Sequence, residues 1–203
     1  MSEAAAEGIL SLYQRHAAAF ARRRNRDLME RGWLDAFLSE VPQGAEVLDL
    51  GCGTGQPMAG YMAQAGCRVT GVDGAAAMIE RAQAALPGQR WIVADMRSLP
   101  PLGPFDGVIA WHSFFHLTPA AQEAMFPRFR DLTRPGAPLM FTSGTGRGIA
   151  MGEFEGEPLY HGSLDTAEYC TLLGSNGFEV LRHVVEDRAC GGATVWLARR
   201  SEA

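Results

Sequence analysis

No lysine occurs anywhere in the 203 residues; all 18 basic side chains are arginines. Schiff-base and pyridoxal chemistry, a phosphate-binding P-loop and protein-kinase chemistry each need a lysine, so those classes are excluded. Cysteine is sparse as well: Cys52, Cys67, Cys170 and Cys190 lie scattered, with no CxxC pair. That spacing argues against a disulfide framework and against a structural zinc site, so no metal is expected. Positive charge is not in excess either. The formal net charge of −5 gives no global cationic footprint for nucleic acid or an anionic membrane. No stretch approaches the roughly 20 apolar residues of a membrane span, and no basic-then-apolar leader precedes a cleavage site. The expectation is a cytoplasmic protein, monomeric or homodimeric, acting on a small molecule.

What is present is a regular alternation of short apolar runs and helical stretches. Glu3 to Ser39 reads as two helices, Ile9, Leu10, Tyr13, Ala17 and Phe20 falling near helical spacing in the first and Trp33, Leu34 and Phe37 in the second. Pro42-Gln43-Gly44 breaks the chain. Strands follow at Val47–Leu50, Arg68–Val72, Trp91–Val93, Gly107–Trp111 and Pro138–Thr142. Between them come helices through Met62, from Ala75 to Leu86, and from Pro119 to Leu132. Ser143 to Gly162 is glycine-rich and mostly polar and reads as a loop. Asp165-Thr166-Ala167-Glu168 spells a capping box, with Asn176-Gly177 as the stop of that helix. Phe178–Glu186 and Ala193–Ala198 then form a hairpin about Cys190-Gly191-Gly192. Repeated βα units closed by a hairpin predict one α/β domain: a doubly wound, seven-stranded, mostly parallel sheet with an antiparallel strand near one edge. Residues 1–40 are expected to form a helical lid, 45–143 the cofactor-binding core, and 144–203 a substrate-side loop, helix and hairpin.

In such a sheet the ligand lies over the carboxyl ends of the strands, where strand order reverses. Glu46-Val47-Leu48-Asp49-Leu50-Gly51-Cys52-Gly53-Thr54-Gly55-Gln56 runs strand, glycine turn, helix. Its glycines let backbone approach a ligand closely. Asp73, ending the second strand, can accept both hydroxyls of an adenosine ribose. After the third strand, Asp95 can take an adenine amino group and Met96 can pack on the ring; Trp111 can flank the base or close the pocket. Both NAD and S-adenosylmethionine satisfy this ribose logic. A dinucleotide fingerprint wants a third glycine at position 56, where Gln56 stands. Asp49 would also oppose a pyrophosphate and suits a cationic amino-acid moiety instead.

Asp49-Leu-Gly-Cys-Gly-Thr-Gly, Gly71-Val-Asp73, Ala94-Asp95-Met96 and Phe105-Asp106-Gly107-Val108 together resemble the ordered motifs of class I S-adenosylmethionine-dependent methyltransferases. The resemblance spans about residues 46 to 143. It implies a Rossmann-like methyltransferase fold and methyl transfer to an unidentified small acceptor through an O-, N- or S-nucleophile. It also implies that Gly51 to Gly55 contact the methionine part, Asp73 the ribose, and Asp95 and Met96 the adenine. The cofactor-binding set expected on this basis is Tyr13, Asp49, Gly51, Cys52, Gly53, Gly55, Asp73, Gly74, Met78, Asp95, Met96 and Trp111. Two other readings stay open: an NAD(P)-dependent oxidoreductase, and a non-enzymatic protein that only binds S-adenosylmethionine.

Other residues allow several roles. His112 and His116, four apart after the fourth strand, could be a metal pair or supply a general base, yet no HExxH glutamate follows His112 and packing is the plainer role. One arginine of Arg22–Arg26 could, with Tyr13, cap a cofactor carboxylate, although a short basic run in an acidic protein is more often a solvated helix end. Gly144-Thr145-Gly146-Arg147-Gly148 follows a late strand rather than opening a helix and reads as mobile loop. Tyr160 and His161 sit where the substrate side is expected, with an ordinary hydrogen-bonded pair as the alternative. Cys52 has no apparent base and reads as a small packing residue.

Overall fold

The computed structural model describes residues 2–202, with side chains placed from residue 4. Helices α1 (Ser2–Arg23) and α2 (Arg31–Leu38) come first. The alternating core follows as β1 (Glu46–Leu50), α3 (Met58–Gln64), β2 (Arg68–Asp73), α4 (Ala76–Ala85), β3 (Arg90–Val93), β4 (Gly107–Ala110), α5 (Pro119–Leu132) and β5 (Pro138–Ser143). A hairpin of β6 (Gly148–Phe154) and β7 (Glu157–Ser163), helix α6 (Thr166–Ser175), and β8 (Phe178–Asp187) with β9 (Ala193–Arg200) complete it.

Seven strands form the main sheet in the order β3-β2-β1-β4-β5-β9-β8. β1 through β5 are mutually parallel, and β9 runs antiparallel to both its neighbours. Side-chain alternation divides the strand residues between two cores. On one face Leu48, Leu50, Val108, Leu139 and Phe141 pack with Phe126 and Phe129 of α5 and Tyr169 and Leu173 of α6. On the other, Val47, Ile109, Met140 and Leu197 pack with Trp33, Leu34 and Phe37 of α2 and Met58 and Met62 of α3. Burial on both faces explains why β4 reads as an unbroken apolar run and β1 as one interrupted by Asp49. α1 lies outside this sandwich, seating Ala17 on Ala75 and Met78 at the start of α4.

The stretch expected as a loop, 143–162, is instead largely the two-stranded sheet of β6 and β7. Its turn is Glu155-Gly156, both with positive φ (54° and 82°), flanked by the pair Phe154 and Glu157. Two central residues with positive φ make a primed two-residue turn, the geometry that matches the twist of a hairpin. The turn is built on Glu-Gly rather than Asn-Gly, and glycines at 148, 152 and 162 dilute the alternation; both hide the strands.

The capping box holds: Asp165 and Glu168 satisfy each other's backbone N–H groups, each at 2.8 Å. α5 is tied to the hairpin through Gln122, which is fully buried. Its amide donates to Leu117 O at 2.9 Å and Gly162 O at 2.8 Å, and its oxygen accepts from the Tyr169 hydroxyl at 2.6 Å. Gln122→Leu therefore strips one partner from each of three buried polar groups. Urea unfolding of this variant is expected to show a loss of about 2–5 kcal/mol.

Candidate active site

The sheet reverses strand order between β1 and β4, and the loops leaving those two strands floor the site. Gly51 takes φ +73°, and a Cβ there would lie 2.2 Å from the Ser113 side chain, so loop and post-β4 turn approach as closely as glycine permits. The Ser113 hydroxyl donates to Leu50 O at 2.6 Å and fixes that approach. Gly71 brings β2 against Trp91 in the same way: a Cβ would stand 2.2 Å from the indole.

Two adjoining cavities open above this floor. One, of about 720 Å³, lies over β2 and β3 and is bordered by Gly51, Gly53, Asp73, Gly74, Met78, Asp95 and Met96, with Ile9, Leu10 and Tyr13 of α1 above. The other, of about 760 Å³, is bordered by Asp49, Cys52, Trp111, Phe115 and His161, with Phe20 and Arg24 from the α1 end. Tyr13, Phe20, Gly51, Gly53, His112 and His116 border both.

Asp73 is a fixed acceptor. Its carboxylate takes the Gly53 N–H at 3.0 Å and the Ala75 N–H at 2.8 Å, tying the glycine loop to the start of α4. Burial raises its pKa, and those two bonds partly oppose the rise. Asp95 caps the short turn after β3 and grips Arg97 with both oxygens, at 3.0 and 2.9 Å to Nε. Burial raises its carboxyl, but the Arg97 contacts win and hold it below the ordinary range.

Asp49 differs from both. It is 2% exposed, borders the second cavity, and neither a hydrogen bond nor an ion pair reaches it from any described residue. Burial first, then the Asp73 charge, push its pKa up to about 7, with Arg24 opposing. Arg24 is itself held at 2.6 Å by Glu30, a carboxylate 1% exposed. Cys52 lies in the same field: burial, Asp49 and Asp73 raise its thiol well above the usual value, so it stays protonated and packs.

The histidines separate by their partners. His116 Nδ1 lies 2.8 Å from Tyr160 O, and a carbonyl only accepts, so Nδ1 carries the proton. Burial lowers the His116 pKa to about 4, leaving a neutral ring whose Nε2 accepts from the Tyr13 hydroxyl at 2.9 Å. Both nitrogens are engaged, and His116 holds α1 in place. His112 is the opposite case. Its ring stacks on Trp111 at 5.4 Å and makes no hydrogen bond among the described residues. Its backbone has φ +50°, with the N–H donating to Thr142 Oγ1 at 2.9 Å. Its side chain is solvent-accessible; desolvation by the surrounding protein, then the Arg24 charge, lower its pKa from the ordinary imidazole value. His161 stacks on His116 at 5.2 Å and borders the second cavity, its pKa also lowered by burial.

Sequence reasoning and structure part at two positions. The Tyr160 side chain is 1% exposed and points into the interior rather than bordering either cavity; only its carbonyl bears on the site, through His116. Trp111 borders the cavity of Asp49 and not that of Asp95 and Met96, a position for closing the pocket rather than for flanking a base. Among the described residues no group of three or more His, Cys, Asp or Glu side chains could hold a metal. Phe115 and Leu159 border the second cavity without any prior sequence signal, and Phe20 reaches it from the expected helical lid.

The class of protein that fold and site define is a doubly wound α/β protein with a small-molecule site at its switch point. Residues 47–136 match the model of the methyltransferase domain family. An uncharacterized methyltransferase of Oceanobacillus iheyensis is 32% identical over 110 residues, 53% of this chain and 51% of the relative. A trans-aconitate 2-methyltransferase of Azoarcus sp. is 39% identical over 89 residues, 43% and 32% of the two chains. The chain thus spans about half or less of these relatives' length. The fold is also that of magnesium protoporphyrin IX methyltransferase from Synechocystis, solved with S-adenosylmethionine: TM-score 0.73, 20% identity, 97% of each chain covered.

A carboxyl raised from about 3.9 to about 7 contributes stability that is full below pH 4 and lost as pH rises through 7. In the ligand-free protein, Asp49→Asn is therefore expected to be more stable than the native chain at pH 8, by on the order of 3 kcal/mol. The difference should vanish near pH 4. Urea unfolding at the two pH values measures it.

Proposed function

We propose that the chain is an S-adenosylmethionine-dependent methyltransferase acting on a small-molecule acceptor. The observation that carries this reading is Asp49, a buried carboxylate facing a cavity beside the glycine loop with no protein cation bonded to it. A buried charge left unpaired is costly, and a ligand bearing an ammonium and a sulfonium answers it. Asp73 would take the ribose hydroxyls, Asp95 and Met96 the adenine end, and Arg24 with Tyr13 the carboxylate of the methionine part. Gly51, Cys52, Gly53, Gly55, Gly74 and Met78 would complete the cradle.

Bound there, the cofactor supplies an electrophilic methyl group, whose S–C bond breaks with its electron pair left on a neutral thioether. Alignment and exclusion of water are then the protein's tasks, and well-oriented reactants reach effective molarities of roughly 10⁵–10⁸ M. The second cavity, adjoining the first through His112 and Tyr13, provides room for an acceptor and favours an enzyme over a protein that merely binds. Gln56 against the Gly60 backbone position leaves no third glycine for a dinucleotide. No described helix is long and apolar enough to cross a membrane; a cytoplasmic monomer or homodimer without nucleic-acid partners fits the acidic composition.

Residues 1–40 and the hairpin would serve as the roof, over a cofactor-binding core at 45–143. Glu157 of β7 pairs with Arg15 and, at 2.6 Å, with His16 of α1, and Arg23 reaches Glu155 at 2.8 Å. Exposed pairs of this kind are individually weak, as a roof that must open requires.

Calorimetric titration with S-adenosylmethionine, S-adenosylhomocysteine and NAD tests the reading: the first two should bind and NAD should not. Asp73→Ala is expected to weaken binding at least tenfold, a charged acceptor being worth about 1.5–3 kcal/mol. Because a cationic ligand lowers the Asp49 pKa, binding near pH 7 should release a proton, read as a buffer-dependent heat, and should tighten between pH 6 and 8. Binding that takes up protons would falsify the Asp49 assignment. With S-adenosylhomocysteine bound, amides of residues 5–38 are expected to exchange much more slowly, while β1 and β4 change little. Equal protection with and without ligand would remove the roof.

A further inference from the structure

Beyond the second cavity the site continues outward in two directions. One cavity, of about 790 Å³, runs along Phe115, Thr145, Ile149 and His161. Another, of about 690 Å³, runs past His112, Thr142, Thr145, Glu186 and Thr194. No arginine borders either outward cavity, and the chain has no lysine. In the second cavity the one arginine is Arg24, held by Glu30 and facing Asp49. A carboxylate or phosphate on the acceptor would therefore enter without a countercharge, next to Glu186 on one path. Burying an unpaired anion is strongly unfavourable.

The walls offer instead two polar ring groups with open valences. Trp111 is 5% exposed and borders the second cavity, and its Nε1–H, closed off from solvent in the ligand-free protein, has no hydrogen-bond partner among the described residues. His112 beside it is the one histidine that borders the first cavity, the second and an outward one. Its ring nitrogens are also unbonded. His116 cannot compete for an acceptor proton, since Tyr160 O and the Tyr13 hydroxyl occupy both its nitrogens. A non-glycine residue with positive φ at the end of a strand is strained, and such strain persists where the surroundings hold a side chain in a required place.

Resting on the methyltransferase reading, we propose that the acceptor is an uncharged planar molecule, a phenol-like O–H or heteroaromatic N–H compound, with His112 as its proton acceptor and Trp111 as a hydrogen-bond donor to it. The neutral His112 ring takes the O–H or N–H proton as that bond breaks and the freed pair bonds the methyl carbon; the proton then passes to water. Phe115 and the Trp111–His112 stack supply flat apolar surface for the ring system.

The test is binding to the full chain saturated with S-adenosylhomocysteine, using 6-hydroxyquinoline and quinoline-6-carboxylate as matched probes at pH 7. The hydroxyl compound should bind at least tenfold more tightly. His112→Asn, chosen because asparagine tolerates positive φ, should weaken it at least fivefold at an unchanged melting temperature, and Trp111→Phe should do so at least threefold. Carboxylate binding as tight as that of the hydroxyl compound, absence of hydroxyquinoline binding at millimolar concentration, or His112→Asn binding like the native chain overturns the proposal. Failure of S-adenosylhomocysteine itself to bind would instead strike the methyltransferase reading.

Discussion

A carboxylate at the carboxyl end of a central parallel strand, shut from water and bonded to nothing, sets the terms for everything around Asp49. It sits one residue inside β1, on the face shared with Val47, where a hydrophobic side chain would serve stability better. The neighbouring Asp73 makes matters worse electrostatically, and Arg24 answers only in part because Glu30 already holds it. The folded state therefore carries a destabilised group on the wall of the second cavity. Under the proposed function, the energy lost in the empty protein would return as selectivity when a cationic ligand arrives.

Around that charge the site is assembled from the two ends of the chain. Tyr13 comes from α1, His116 from the turn after β4, and Tyr160 O from β7, and one chain of hydrogen bonds links them. The order of donors along it is fixed: hydroxyl to Nε2, Nδ1–H to carbonyl. A neutral imidazole completes this chain and an imidazolium does not, since a protonated Nε2 could no longer accept from Tyr13. Burial of His116 thus serves geometry, keeping the ring neutral so that it can join the roof to the floor.

Most of the core was legible in the sequence because both signals it uses are local. Buried parallel strands such as Gly107–Trp111 are continuous apolar runs, and glycine turns with an acidic residue at the next strand end mark the ligand edge. The hairpin at 148–163 was not legible. Six of the seven residues of β6 are exposed, so no burial pattern shaped its sequence, and the hairpin is held by a buried glutamine and by ion pairs to α1. The roles of the histidines were equally hidden. Spacing pairs His112 with His116, whereas the fold engages both nitrogens of one and leaves the other open, a distinction made by Tyr13 and Tyr160, roughly a hundred and half a hundred residues away in sequence. Which arginine of the basic run would turn inward also depended on a tertiary partner, Glu30.

β9, the final strand, pairs with β5 on one side and β8 on the other. During synthesis this leaves β5, whose six residues are all buried in the finished fold, with an open edge until the last strand has emerged from the ribosome. Unpaired apolar edges of this sort invite pairing with other chains. Because β9 is made well after β5, release of a nascent chain that stops short of β9 yields a sticky sheet rather than a smaller working domain. Chaperone dependence of expression should accordingly track the integrity of residues 193–200.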